Sequence, residues 1–133
     1  MEHDAVDRKR IAVVEDNDDN RLLLHALLDE QYELRDYEAG PEALLGMDAA
    51  VPELVLLDIS LPGMDGVEVL SRMRRNDKLR HLYVIALTAH AMTGDRERFF
   101  AAGFNDYVTK PIVDETLLLK AIERAWPPGG QVR

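Results

Sequence analysis

The sequence of 133 residues contains no cysteine. This absence excludes disulfide bonds, thiolate zinc sites and thiol nucleophiles, and it agrees with a reducing compartment. Long apolar runs are missing as well: the longest clean one, Leu82–Leu87, is far too short to span a bilayer. The N-terminal segment MEHDAVDRKR is charged where a signal peptide would be apolar. We therefore expect a cytoplasmic protein with no membrane partner.

Positive charge is also scarce. Sixteen basic residues face 25 acidic ones, which gives a net charge of −9. A surface of this sign repels phosphate backbones, so we expect no nucleic-acid partner. The hydrophobic share of 47% and the charged share of 31% are typical of a globular protein, and the length matches one domain. We predict a single domain over residues 10–126, with flexible tails at 1–9 and 127–133.

Short β-rich apolar segments alternate with helical patterns along the chain. We predict strands at IAVV (11–14), YELRDY (32–37), ELVLLD (53–58), HLYVIALTA (81–89) and NDYVTKP (105–111). The helices between them show cap signals: Asp18 or Asp19 for the first, Pro41 for the second and Gly103 at the end of the fourth. Five alternating strands and helices predict a parallel sheet covered by helices on both faces.

Polar residues close the predicted strands. Glu15 and Asp16 follow the first strand, Asp58 ends the third, Thr88 ends the fourth and Lys110 follows the fifth. In an open parallel sheet the carboxyl ends of the strands lie along one edge, where sites form. We therefore expect three carboxylates, a hydroxyl and an ammonium to share one crevice.

Three neighbouring carboxylates repel one another, and a hard divalent cation would relieve that repulsion. We predict a site for Mg²⁺, or for Mn²⁺ in its place. Asp16 and Asp58 are expected to be direct ligands, together with the backbone carbonyl of Ser60. Glu15 has a longer side chain and is expected to act through water.

Asp58 is the predicted nucleophile of this site. The metal and Lys110 would place positive charge beside one of its oxygens and stabilise a phosphoryl group arriving in line. Thr88 would donate its hydroxyl to one phosphoryl oxygen, and the backbone N–H groups of Ser60 and Ala89 would bind the others. The product would be an acyl phosphate on Asp58.

The segments VVEDN, LLDISLPGMDG, ALTA and DYVTKP occur in this order and spacing. Together they resemble the receiver domain of two-component response regulators, over about Arg10–Trp126. The resemblance implies a flavodoxin-like doubly wound sheet of strand order 2-1-3-4-5. It implies Mg²⁺-dependent phosphotransfer to Asp58 from a histidine kinase or a histidine phosphotransfer protein. It also implies that Thr88 and Tyr107 form a switch pair, and that the Lys110–Pro111 peptide bond is cis.

The same resemblance implies a signalling protein that catalyses only its own phosphorylation and dephosphorylation, and that is not an enzyme for other substrates. As Thr88 moves toward the phosphoryl group, Tyr107 would turn inward and change the face formed by the fourth helix, fifth strand and fifth helix. That face would bind a downstream protein target. No effector segment follows Trp126, so we expect a stand-alone receiver, or a receiver taken from a hybrid kinase or a larger regulator. In either case we expect a monomer or a weak dimer.

Three other interpretations fit parts of the sequence. A haloacid-dehalogenase-like phosphohydrolase needs a second aspartate two residues after the nucleophile, where this chain has Ser60. A calcium loop that begins at Asp16 would need glycine and glutamate where Arg21 and Leu27 stand. A phosphorylation-independent adaptor of the receiver type would usually lack an acidic or lysine position, and here all of these positions are filled.

Overall fold

The computed structural model describes residues 8–89, 95–110, 112 and 115–126, and in this part five strands alternate with five helices. The strands are β1 (Lys9–Val14), β2 (Tyr32–Tyr37), β3 (Leu54–Asp58), β4 (Tyr83–Thr88) and β5 (Asp106–Thr109). The helices are α1 (Asp18–Leu28), α2 (Gly40–Ala49), α3 (Gly66–Arg74), α4 (Asp95–Ala102) and α5 (Glu115–Ala125). The predicted alternation is confirmed, although β1 begins two residues earlier than its apolar pattern indicates.

The strands form one parallel sheet in the order β2-β1-β3-β4-β5, which is the order that the family resemblance implies. Helices α2, α3 and α4 pack on one face of the sheet, and α1 and α5 pack on the other. Every residue of β3 is buried, because this central strand is covered on both faces. Its continuous apolar run suits that position, since neither side of the strand meets water.

The start of α1 corrects one prediction. Asn17, and neither Asp18 nor Asp19, is the N-cap: its backbone is extended and its side chain accepts a hydrogen bond from the N–H of Asn20 at 2.9 Å. The two aspartates occupy the first turn instead, where their negative charge favours the positive end of the helix dipole. Helix α2 begins at Gly40, so Pro41 lies in its first turn but one residue after the first position predicted for it.

Arg74 at the end of α3 fixes the turn that leads into β5. Its guanidinium donates hydrogen bonds of 2.7 to 3.0 Å to the backbone oxygens of Arg80, Leu82 and Gly103 and to Oδ1 of Asn105. Gly103 follows α4 with a φ of 115°, a conformation that favours glycine and matches its predicted role as C-cap. These contacts hold the entry to β5 against α3 and the start of β4.

Strand β5 lies at an edge of the sheet and pairs only with β4 among the described strands. Asp106, its first residue, accepts the N–H of Tyr107 on Oδ1 at 2.8 Å and the Nε–H of Arg124 on Oδ2 at 2.7 Å.

None of the described helices combines the length and the apolar character needed to cross a membrane. The segments predicted as flexible tails fall almost wholly outside the described residues.

Candidate functional site

Four of the five predicted strand-end residues converge, namely Glu15, Asp16, Asp58 and Lys110. Glu15, Asp16 and Asp58 each direct a carboxylate oxygen to the same place, and these oxygens lie within 4.8 Å of one another. Glu15 and Asp58 are buried, with 0% and 2% of their surface exposed, whereas Asp16 is exposed. Thr88 is also buried at the end of β4. Three acids from the ends of β1 and β3 therefore form one cluster at the carboxyl edge of the sheet.

Lys110 supplies the positive charge of the cluster. Its Nζ lies 3.2 Å from Oδ2 of Asp58 and 3.3 Å from Oε1 of Glu15. Only 15% of its side chain is exposed, so both ion pairs are shielded from water. The backbone N–H of Lys110 donates to the carbonyl oxygen of Thr88 at 2.7 Å. This hydrogen bond to the end of β4 fixes the backbone of Lys110, so that its ammonium lies beside the carboxylates.

Glu15 has an altered affinity for protons. Burial is the main cause that raises the pKa of Glu15 above its ordinary value of 4.5, and the negative charge of Asp58 adds to it. The ammonium of Lys110 and the N–H of Asn17, which donates to Oε2 at 3.2 Å, act in the opposite direction. The net rise in the pKa of Glu15 therefore follows first from burial of its carboxyl group and second from the neighbouring charge of Asp58.

The donor set fits a divalent magnesium-type cation. Three carboxylates against one ammonium leave two negative charges uncompensated, which one such ion would neutralise. All the clustered acidic donors are oxygens, the ligands that Mg²⁺ and Mn²⁺ prefer in proteins. Glu15, Asp16 and Asp58 are the residues that would hold the ion. The carbonyl of Ser60 as a further ligand stays a prediction.

The backbone N–H of Ser60 holds the carboxylate of Asp58 in this structure, donating to Oδ1 at 3.0 Å. Its role as a donor to a phosphoryl oxygen stays a prediction. The two carboxylate oxygens of Asp58 are therefore held from different directions, by Ser60 on Oδ1 and by Lys110 on Oδ2. This arrangement fixes the plane of the Asp58 carboxylate, since neither oxygen can turn away without breaking a contact.

Gly66 is a site residue that the sequence reasoning missed. A Cβ at this position would lie 2.3 Å from the carbonyl oxygen of Asp58 and 2.8 Å from Cα of Ile59. The N–H of Gly66 also donates to the carbonyl oxygen of Ile59 at 2.9 Å. The start of α3 therefore packs directly on the backbone of Asp58, and only glycine fits. The repeated glycines of LPGMDG were the available signal.

Arg21 was also missed, except as a mismatch to a calcium loop. Its Nη1 donates to the carbonyl oxygen of Glu15 at 2.7 Å, and its Nη2 pairs with Asp18 and lies 3.6 Å from Glu38. Only 12% of its side chain is exposed. An arginine in the first turns of an acidic helix looks like an ordinary surface residue, so nothing in the sequence pattern distinguishes it.

The predicted switch residues lie on neighbouring strands. Thr88 ends β4, and Tyr107 pairs with Ala86 across the β4–β5 ladder. The half-buried ring of Tyr107 packs against Phe99 with 5.6 Å between ring centroids. Pro111 lies outside the described residues, so the cis Lys110–Pro111 bond stays a prediction.

A groove of about 590 Å³ lies beside Tyr107, between α4, the edge of β5 and α5. Aromatic, apolar and basic side chains line it, among them Tyr83, Arg96, Phe100, Tyr107, Leu117 and Lys120. Phe100 and Leu117 are 39% and 57% exposed. The groove is thus an open surface with apolar patches and cations, on a chain whose net charge is −9.

Comparison with known proteins places these features in context. A family model described as the response regulator receiver domain matches residues 11–123. The polar-differentiation response regulator DivK of Brucella anthropi is 42% identical over 105 residues, which cover 78% of this chain and 85% of DivK. DivK of Brucella ovis is 41% identical over the same length and shares.

Solved structures show the same similarity. The receiver domain of the sensor histidine kinase PA1611 from Pseudomonas aeruginosa has a TM-score of 0.79 at 32% identity. The match covers 88% of this chain and 96% of the PA1611 chain, and that structure has a magnesium ion coordinated in its active site cleft. A putative response regulator from Chloroflexus aurantiacus has a TM-score of 0.82 at 28% identity, with 89% and 97% covered.

Proposed function

The chain belongs to the response regulator receiver domain family, and on this basis we propose that Asp58 accepts a phosphoryl group from the phosphohistidine of a histidine kinase or histidine phosphotransfer protein. Members of the family are signalling proteins rather than enzymes that turn over metabolites. The observation that carries the proposal is the buried carboxylate of Asp58, 3.2 Å from the ammonium of Lys110 and beside two further acids. The lack of cysteine supports action in the cytoplasm.

In the proposed transfer, an oxygen of Asp58 forms a bond to phosphorus while the bond from phosphorus to the donor imidazole nitrogen breaks. Attack by a carboxylate requires no proton transfer from the nucleophile. Lys110 is close enough to Oδ2 to pair with an oxygen of the group that arrives there, and Thr88 is expected to donate to another. Glu15 and Asp16 would hold Mg²⁺ or Mn²⁺ with Asp58, and the bound ion supplies positive charge that offsets the crowded oxygens.

The hydrolase alternative is disfavoured by position 60. A phosphohydrolase of that type needs a general acid two residues after the nucleophile, and Ser60 cannot act as one at neutral pH. Its backbone is instead engaged in holding Asp58. We therefore expect phosphomonoesters incubated with the protein and Mg²⁺ to show no sustained release of phosphate, and repeated turnover would favour the hydrolase.

We further propose that phosphorylation changes the groove between α4 and α5 through Thr88 and Tyr107. Tyr107 belongs both to the core beneath α4, through Phe99, and to the lining of the groove, so a rotation of its ring would alter both. Arg96 and Lys120 make no ion pair with any described carboxylate. A partner segment with acidic residues and one bulky apolar side chain would complement this surface.

Intact mass after incubation with acetyl phosphate and Mg²⁺ tests the transfer. Wild type should gain a single phosphoryl adduct, and Asp58→Asn should gain none. Lys110→Met should incorporate the group about 10² to 10³ times more slowly, because it removes the ammonium that faces the nucleophile. Asp77→Asn, an exposed acid elsewhere on the surface, is the matched control and should behave as wild type. A wild type that stays unmodified with acetyl phosphate and with the histidine kinases of its host would contradict the proposal.

Nuclear magnetic resonance tests the proposed response of the groove. On phosphorylation, the signals of Phe100 and Tyr107 should shift, because both line the groove. The indole signal of Trp126 should not move, since this ring stacks on Tyr32 at 5.9 Å, away from the site. Shifts at Trp126 as large as those at Tyr107 would indicate a global change instead of a local switch.

A further inference from the structure

Asp16 is the least supported member of the acidic cluster. Its side chain is exposed and makes no hydrogen bond or ion pair with the part of the chain that the structure describes. Glu15 and Asp58, by contrast, are held by Lys110 and by backbone N–H groups. The direction in which Asp16 points is therefore set by the backbone that carries it.

The peptide plane between Glu15 and Asp16 is held by Arg21. Its Nη1 donates to the carbonyl oxygen of Glu15 at 2.7 Å. Because the peptide unit is planar, a bond to that oxygen also orients the N–H and the Cα of Asp16. On the other side of the residue, the N–H of Glu15 donates to the carbonyl oxygen of Tyr37 at 3.0 Å. Both peptide groups of Glu15 are thereby anchored.

Arg21 is itself held in place. Its Nη2 pairs with Asp18, and Glu38, the residue after β2, lies 3.6 Å away. Its side chain is 12% exposed, whereas those of Asp18 and Glu38 are 89% and 69% exposed, so the guanidinium lies beneath its partners. Two carboxylates more than balance its charge. Arg21 therefore acts on the acidic cluster through its fixed N–H donor to Glu15, and its positive charge contributes little.

We propose that Arg21 is a positioning residue for the divalent-cation site, which acts by orienting the Glu15–Asp16 peptide so that Asp16 faces Asp58. Among the described residues its side chain bonds only to the carbonyl oxygen of Glu15, to Asp18 and to Glu38, and to none of the three clustered carboxylates. Its loss should therefore change the affinity for the ion and leave the chemical step nearly unchanged. This inference rests on the proposed function, because it assigns Asp16 to the metal site that phosphorylation of Asp58 requires.

The experiment separates affinity from rate. Calorimetric titration with Mg²⁺ gives the dissociation constant of each variant, and incorporation from acetyl phosphate is measured as a function of Mg²⁺ concentration. Arg21→Gln should weaken Mg²⁺ binding about tenfold or more, as expected when a group that orients a ligand is removed. Its rate at saturating Mg²⁺ should stay within about twofold of wild type. Arg21→Lys, which can still donate to the carbonyl, should recover part of the affinity.

Two further variants test the route of the effect. Glu38→Gln removes a charge partner of Arg21 but leaves its bond to Glu15, so the affinity for Mg²⁺ should stay within about twofold of wild type. In an Asp16→Asn background, Arg21→Gln should cause little further loss, since the two changes act on the same ligand. Unfolding without metal, followed by circular dichroism, shows whether each variant is folded.

The inference is overturned if a folded Arg21→Gln protein binds Mg²⁺ as wild type does, or if its rate at saturating Mg²⁺ falls while its affinity is unchanged. Should Arg21→Gln not fold, Arg21→Lys takes its place in the test. A loss of Mg²⁺ affinity in Arg21→Lys that recurs in full in the Asp16→Asn background would overturn the inference as well, because that loss would not act through Asp16. A wild type that gains no adduct on Asp58 would remove the proposed function, while the calorimetric comparison would still decide the role of Arg21.

Discussion

Replacement of Gly66 by alanine tests how closely the start of α3 supports Asp58, the proposed nucleophile. The added Cβ would meet only backbone: the carbonyl oxygen of Asp58 at 2.3 Å, Cα of Ile59 at 2.8 Å and the carbonyl carbon of Asp58 at 3.0 Å. No side-chain rotation can relieve these contacts. Either the first turn of α3 or the Asp58–Ile59 peptide must move.

The size of the effect follows from these distances. Because real Cβ contacts do not fall below 3.0 Å, the gap must open by at least about 0.7 Å. Alanine would otherwise stabilise the helix by up to about 1 kcal/mol relative to glycine. Overpacking typically costs about 1 to 3 kcal/mol, so we expect a net loss of up to about 2 kcal/mol.

The effect on phosphorylation should be larger than the effect on stability. The Ser60 and Lys110 contacts of Asp58, at 3.0 and 3.2 Å, both depend on the position of the displaced peptide. A misplacement of about 1 Å can reduce a rate about 10²-fold. Urea unfolding measures the loss of stability, and intact mass after incubation with acetyl phosphate and Mg²⁺ measures the rate.

Gly63→Ala is the matched control in the same turn. Gly63 has a φ of 75°, and nothing lies within 4 Å of the position of an added Cβ. Alanine there should cost about 1 to 2 kcal/mol through backbone strain, with phosphorylation nearly unchanged. Wild-type stability and rate in Gly66→Ala, or an equal loss of rate in Gly63→Ala, would refute the reasoning.

Two further predictions concern residues outside the site. Burial alone would lower the pKa of His25, but the hydrogen bonds and charges of Asp36 and Asp29 outweigh burial and raise the pKa above 6.5. The two ion pairs of His25 should therefore stabilise the fold fully below pH 6.5. Their contribution should weaken as the pH rises through the raised pKa. In urea unfolding His25→Gln should then cost about 0.5 to 1 kcal/mol near pH 5.5 and less near pH 9, and equal costs would contradict this. Arg74→Met should lose about 2 to 4 kcal/mol because four acceptors lose their donor. Arg74→Lys should regain less than half, since one ammonium cannot span them, and wild-type stability in Arg74→Lys would show that the turn needs no such clamp.

The sheet and the acidic cluster could be predicted because the apolar pattern of the strands and the polar residues at their ends agree. A continuous apolar run, Leu54–Leu57, indicates a strand buried on both faces, and the polar residue that ends it marks the carboxyl edge of the sheet. The same reasoning applies to Glu15 and Thr88. Once the strands are parallel, their ends must share an edge, so residues distant in sequence come together without any knowledge of side-chain contacts.

The remaining features depend on distances that residue types do not encode. Asn17, Asp18 and Asp19 are all good N-caps, and only the backbone conformation decides among them. Arg21 looks exposed in a sequence rich in charge, but its contact with the carbonyl of Glu15 places it beneath the surface. The role of Gly66 depends on a close approach between two backbone segments. The repeated glycines of LPGMDG signal a tight turn, but they do not specify which backbone atoms meet.

The carboxylate at the start of β5 bears on how copies of this chain behave when crowded. An outermost strand with free N–H groups invites strand addition from another molecule, which is a route to aggregation. Here Asp106 already occupies the N–H of Tyr107 and is itself anchored by Arg124. The outer edge of β5 can therefore remain exposed beside the groove, where partners would contact side chains. The N–H of Tyr107 is not free to pair with a strand of another molecule.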